Sequence, residues 1–572
     1  MPLSFPRPAV LCKVPAALAL TFALAAPLAA EAPAGAYLAA RFASANDDYA
    51  AAATYYARAL AGDSANVMLQ ESALVAYLGS GDLDRAARLA QEAGARSPSQ
   101  IAALVQLAAA GKAGDYAAAG ALLDDGLRVG PLVEGLARGW IALGRGQMSE
   151  AVRHFDALTA EPGLTAFGAY HKALALASVG DFEGADAIFS GEASRVLRST
   201  RRGVLAYAEI LSQLERNDDA LAVLEAVFGA DPDPEATKMI ETLRAGGTLP
   251  FSIVTDARDG LAETYLTVAG ALRGETPDAY TLVYARLGAY LRPDLADAML
   301  LIGAILEEQQ QYDLANAAYA QVPRSSPGFP AAETGRAGAL IASGNADEGI
   351  EVLEALSRAY PRLPGVWMTL GDALRRAERY PEAATAYDRA VTLYGDPETV
   401  GWFLYYARGV ALERSGEWDR AEADLKKALE LSPDHPQVLN YLGYSWVDMG
   451  RNLDAALDMI ERAVEARPDD GYIVDSLGWA LYRLGRYREA AVQMERAVEL
   501  TPEDPLINDH LGDVFWAVGR KREARFQWMR ALSFEPEAEK DARRIRRKLE
   551  IGLDAVLAEE GAPPLRAADK QD

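Results

Sequence analysis

A period of 34 or 35 residues constrains this chain more than anything else in it. Segments starting at Trp402, Pro436, Gly471 and Pro505 carry the same marks at the same offsets. In the third segment they are Leu477, Gly478, Leu481, Ala490, Met494, Ala497 and Pro502, and in the fourth Leu511, Gly512, Phe515, Ala524, Trp528, Ala531 and Pro536. A unit this short cannot bury an apolar face alone, so copies must stack, and the core of such a chain runs between neighbours.

The offsets fall at helical intervals and describe two antiparallel helices per unit. Small residues at positions 8, 20 and 27 let the helices approach, and large ones at 7, 11 and 24 fill the space between them. Proline at position 32 ends the second helix. The one extra residue, around Arg451, Asn452 and Leu453, falls in the turn between helices, where an insertion is tolerated. Upstream the register continues from Pro364, Pro330 and Ala296, through a degenerate unit between Ala262 and Pro293, to starts near Pro33, Val67, Gln100, Leu132, Ala166 and Arg201. About fourteen units result. The expected fold class is therefore all-α, an α-solenoid of antiparallel helix pairs.

The period fails between residues 231 and 260, where Asp233-Pro234, Gly246-Gly247 and Pro250 interrupt it. That stretch either joins two arrays or is a longer loop or extra helix inside one. The expected organisation is a leader over 1–30, a degenerate array over 31–230, the irregular segment 231–260, a second array over 261–536, a capping helix over 537–558 and a disordered tail over 559–572. The cap is read from the spacing of Ala538, Ala542, Ile545, Leu549, Leu553 and Val556, because the end of an array exposes an apolar face.

Arg7 and Lys13 precede an uncharged apolar run from Val14 to Ala30, the pattern of a secretory leader cut after Ala30. The run is shorter than the roughly 20 residues a membrane span prefers, an uncleaved anchor being the alternative. The expected location is the periplasm, with no membrane span in the mature chain. The single cysteine, Cys12, lies before the apolar run, so a cleaved chain has no thiol for a disulfide, a metal or a nucleophile.

With 57 Lys and Arg against 82 Asp and Glu, the formal net charge is −25, which argues against wrapping nucleic acid. None of G-x-S-x-G, H-E-x-x-H, G-x-x-x-x-G-K-[ST] or G-x-G-x-x-G occurs, and His154, His171, His435 and His510 are not spaced as metal ligands. The expectation is a protein without catalytic residues, cofactor or metal. One basic stretch, Arg520 to Lys548, holds eleven Lys and Arg against five acids. It reads as the solvated face of the cap or as a peripheral contact to anionic lipid or an acidic partner.

The runs Leu439-Asn-Tyr-Leu-Gly-Tyr444, Asp475-Ser-Leu-Gly-Trp479 and His510-Leu-Gly-Asp513, set in this period, resemble tetratricopeptide repeat proteins, in particular exported bacterial scaffolds and adaptors. The resemblance implies that the first helix of each unit lines a concave groove through its positions 5, 9 and 12 or 13. These are Tyr406, Val410 and Glu413; Asn440, Tyr444 and Val447; Asp475, Trp479 and Tyr482; Asp509, Asp513 and Trp516. Aromatics mixed with Asn and Asp suit peptide binding, the alternative being that Trp479 and Trp516 pack against neighbouring units. The Lys, Asn and Arg set with which some relatives capture a C-terminal carboxylate is absent, so a basic or internal peptide segment is expected. The functional expectation is an exported, non-enzymatic scaffold for protein partners in the cell envelope. The alternatives are a structural subunit of a secretion or polysaccharide-assembly complex, or an enzyme with a site in 231–260.

Overall fold

The computed structural model describes residues 33–94, 98–191, 198, 200–229 and 233–565. The expected leader with Cys12, residues 231 and 232, and residues 566–572 of the expected tail lie outside them. The described residues form thirty-one α-helices and no strand. The chain divides into two compact units after Asn345.

The period maps directly onto the helices. First helices begin at Pro364, Pro436, Gly471 and Pro505, and in the segment starting at 402 the helix Pro397–Arg414 is kinked at Gly401, so that a straight helix begins at Trp402. The glycine at position 8 has a packing cause. A Cβ on Gly478 would stand 2.7 Å from the Met494 side chain, and one on Gly512 would stand 2.4 Å from the Trp528 ring. Position 24 of the second helix therefore occupies the volume that a side chain at position 8 would need. The extra residue near 452 is absorbed by a left-handed conformation at Asn452 (φ 47°) in the turn ahead of Leu453–Ala466.

In the unit ending at Asn345, the first helices Val67–Ser80, Gln100–Lys112, Pro131–Gly144 and Thr165–Ser178 all meet one hairpin of the same chain, Ala257–Leu272 with Asp278–Leu291. Gly260 lies under the fully buried Trp140, where a Cβ would come within 2.1 Å of the ring. Tyr265 Oη donates to Leu104 O at 2.8 Å, and Tyr170 Oη donates to Glu263 Oε1 at 2.9 Å. Glu263 also accepts both arms of Arg202, at 3.0 and 2.6 Å. The chain thus fills the first-helix face of its own N-terminal repeats.

The stretch expected to be irregular contains the helix Pro234–Arg244, begun by Asp233, followed by a non-helical run with Leu249, Ile253 and Val254 buried. Ser212 and Gln213 hold the two backbone groups of Leu249, and Glu209 accepts from Ser252 N and Oγ at 2.8 and 2.6 Å. Burial pushes the Glu209 carboxyl up to about 7 against those hydrogen bonds. The polar side chains there hold the chain in place.

At the other end, where a single capping helix over 537–558 was expected, there are two, Glu539–Ile551 and Leu553–Glu559. The break is at Gly552 (φ 84°), whose Cβ position lies 2.6 Å from the Trp516 ring. The apolar spacing continues through this point, which is why the sequence reads as one helix.

Candidate partner-binding face

Helices Pro436–Asp448, Gly471–Arg483 and Pro505–Ala517 pack on one another in succession, while the second helices between them stand further apart. The array therefore curves with its first helices inward. This is the face on which the candidate residues lie, and the structure sorts their aromatic, Asn and Asp members into three groups.

Trp402, Tyr406 and Tyr441 form the first group, all half-buried. The Trp402 ring lies 3.9 Å from that of His435 and 6.3 Å from that of Tyr406, and Tyr406 meets Tyr441 edge-on at 5.9 Å. Tyr441 Oη donates to Glu413 Oε2 at 2.8 Å, which fixes this ring and uses Glu413. Tyr444 is half-buried, its hydroxyl held above the ordinary range by burial and by the nearby Asp475 and Asp448. Asn440 is half-buried and its Oδ1 has no hydrogen-bond partner among the described residues.

The second group is a stack. Trp479 lies between Tyr482, at 4.8 Å and 17° between planes, and His510, at 4.0 Å and 14°. His510 Nδ1 is 3.0 Å from Asp475 Oδ2, and both side chains are buried. Burial alone would lower the His510 pKa, but the Asp475 carboxylate outweighs it and raises it above the ordinary value. The carboxylate thus favours the protonated form of the imidazole on which Trp479 stacks.

The third group is closed by the cap. Lys548, on Glu539–Ile551, is fully buried and its Nζ reaches the carboxylates of both Asp509 (2.8 Å) and Asp513 (2.7 Å). Asp513 also accepts Trp528 Nε1 at 2.9 Å and has Arg544 at 3.6 Å. Burial raises the Asp513 pKa and Asp509 adds to this, with Lys548 opposing. Trp516 Nε1 donates to Asp554 Oδ2 at 2.9 Å, and its ring lies 5.4 Å from that of Trp528.

Three expectations change accordingly. Asp475, Asp509 and Asp513 do not stand free for a basic ligand, because His510 and Lys548 pair with them from within. Lys548 is not on a solvated face of the cap. Much of the remaining basic stretch is paired too, Arg520 with Glu523 and Glu495, and Arg547 with Glu550 and Glu559. His510 and Lys548 were not among the site residues read from the sequence. Their partners lie 35 to 39 residues away, one period on, and only a search at that spacing for opposite charges would have found them. No group of His, Cys, Asp and Glu able to hold a metal occurs among the described residues.

Comparison with known proteins agrees with the period. Models described as tetratricopeptide repeat match residues 297–328, 334–396, 406–471 and 476–539. Those residues carry tetratricopeptide repeats. It is 26% identical over 159 residues to the TPR repeat-containing protein PA4667 of Pseudomonas aeruginosa, covering 28% of this chain and 26% of that one. The match thus spans about a quarter of the relative's length. Among solved structures it is similar to the APC/C hetero-tetramer Cut9–Hcn1 (15% identity, 92% of this chain and 97% of that one, TM-score 0.37). A MamA structure matches at 24% identity over 30% of this chain and 99% of its own, with a TM-score of 0.26. A tetratricopeptide repeat protein from Parabacteroides merdae matches at 14% identity over 45% and 98%, with a TM-score of 0.38.

Proposed function

We propose that this protein is an exported, non-enzymatic scaffold of the cell envelope that binds an extended segment of a partner protein along the first helices between Trp402 and Tyr482. The observation that carries this reading is the row of half-buried aromatic side chains, Trp402, Tyr406, Tyr441, Tyr444 and Trp479, along successive first helices. Half-buried rings on a packed framework lose little freedom on binding and offer rigid contact area. With Asp475, Asp509 and Asp513 paired internally, recognition rests on aromatic area, and a basic ligand has no special advantage. The leader pattern before Glu31 supports export, and no described helix is long and apolar enough to cross a membrane.

The test is a photo-crosslinkable residue at Tyr444 in cells, with capture repeated in Tyr406→Ala and Trp479→Ala backgrounds. Capture lost in both backgrounds, with folding intact, supports the face; capture indifferent to them rejects it. A second reading, a complex subunit held by its outer surface, is favoured by the exposed Val492, Phe526 and Met529 on second helices. It expects capture from Phe526 and none from Tyr444.

A further inference from the structure

In the unit ending at Asn345, Arg286 on Asp278–Leu291 is 5% exposed, and no carboxylate pairs with it among the described residues. Its one hydrogen bond runs from Nη2 to Gly79 O at 3.1 Å, and its Nε has no partner among the described residues. Other buried or near-buried arginines of this acidic chain are treated differently. Arg202 is gripped by both oxygens of Glu263, and Arg408 by both oxygens of Asp424. A guanidinium taken out of water without an anion is strongly unfavourable. Burial pulls Arg286 down to about 10, with Tyr49 opposing only in part.

Arg286 lines a cavity of about 220 Å³ that no Asp or Glu lines. Lys112, its Nζ 3.6 Å from the centre of the Tyr290 ring, lines the same cavity. Gly81 leaves the guanidinium room, since a Cβ there would meet Nη1 at 3.4 Å. Of the acids that flank lining residues in sequence, Asp82 caps the following helix and pairs with Arg85, Asp294 pairs with Arg292, Asp84 acts on Tyr290 from outside the lining, and Asp313 also lies outside it. Leu83, Met299 and Leu314 line the same cavity, together with Ser80 and Gln321.

We propose that this cavity binds a small organic carboxylate, its head between the Arg286 guanidinium and the Lys112 ammonium and its short apolar body against Leu83, Met299 and Leu314. The planar fork suits a carboxylate, and the apolar wall distinguishes an acid with a stem from a bare oxyanion. This inference is independent of the partner-binding face.

Calorimetric titration of the full chain with hexanoate, acetate and inorganic phosphate tests it. Hexanoate should bind saturably and at least about tenfold more tightly than acetate or phosphate, and Arg286→Gln should weaken it by about tenfold or more. Arg286→Gln should melt no lower than wild type without ligand, yet lose the upward shift in Tm that hexanoate gives. Should that variant fail to fold, Lys112→Glu, at an exposed position, keeps the test open and should abolish hexanoate binding. No saturable hexanoate binding, phosphate binding as tightly as hexanoate, or unchanged hexanoate affinity in Lys112→Glu would each overturn the assignment.

Discussion

Lys548→Met is the most informative single perturbation of the C-terminal unit. The Lys548 side chain is 0% exposed and holds Asp509 (12%) and Asp513 (2%) at 2.8 and 2.7 Å. Methionine keeps much of the volume but removes a fully buried cation, leaving two carboxylates side by side with Arg544 only at 3.6 Å from one of them. Removing one partner of a buried ion pair typically costs about 3 to 5 kcal/mol, chiefly because charge is left uncompensated. Array ends open locally, so hydrogen exchange should accelerate by about two to four orders of magnitude in Pro505–Ala517 and Glu539–Ile551 and little in Pro436–Asp448. The stranded carboxylates should titrate upward, so the loss is largest above neutrality and shrinks as pH falls and one of them takes a proton. The triple variant Lys548→Met, Asp509→Asn, Asp513→Asn should recover most of the stability. A cost below about 1 kcal/mol, or no recovery in the triple variant, would refute the claim that this charge cluster fastens the cap.

Glu209→Gln probes the packed stretch after Arg244: a carboxyl raised to about 7 from 4.5 contributes stability that is fully present below about pH 4.5 and lost as pH rises through 7. The loss is about 3 kcal/mol by pH 8 in wild type and absent in the variant, as read by denaturation midpoints across pH. Gly260→Ala sets a methyl against Trp140 and should lower the stability of the N-terminal unit by about 3 kcal/mol in urea unfolding; a neutral result would mean the hairpin can shift. Tyr444→Ala should weaken partner binding by on the order of 1 to 3 kcal/mol with little change in Tm. Trp479→Ala should lower both, because its ring is stacked between Tyr482 and His510. Unchanged binding in both variants would remove the face from the proposal.

Helix positions were legible because they are local. Pro364, Pro436, Gly471 and Pro505 open helices for reasons contained within a few residues, and the Gly478–Met494 fit recurs one period on as Gly512–Trp528. The candidate site was legible only in part. Positions 5 and 9 place Asp475, Asp509 and Asp513 on the expected face, but spacing within one helix says nothing about what arrives from the next unit. His510 and Lys548 do arrive there, and they convert acids that read as ligand-binding groups into structural pairs. The hairpin Ala257–Leu291 was hidden for the same reason. Its helices register as a degenerate repeat, yet they pack on helices as distant in sequence as Val67–Ser80, with contacts such as Arg286 to Gly79 that span 207 residues.

The first-helix faces of the two units meet different fates, and this bears on where a partner can bind. Around Trp140, Tyr170 and Leu104 the face is covered by the chain's own hairpin, and Gly260, Glu263 and Tyr265 are fitted to it at contact distance. A competing segment would have to displace buried hydrogen bonds and the Arg202–Glu263 pair together, an unfavourable exchange for a surface peptide. In the C-terminal unit the cap buries Asp509 and Asp513 through Lys548 and holds the half-buried Trp516 through Asp554. The half-buried rings not engaged by the cap lie upstream of it, from Trp402 to Trp479, so the segment proposed to bind there has about three units to lie along. Three units offer a row of rings, a surface suited to a short extended segment and too small for a folded domain. A partner fragment that retains binding when shortened to about ten residues is the outcome this geometry requires.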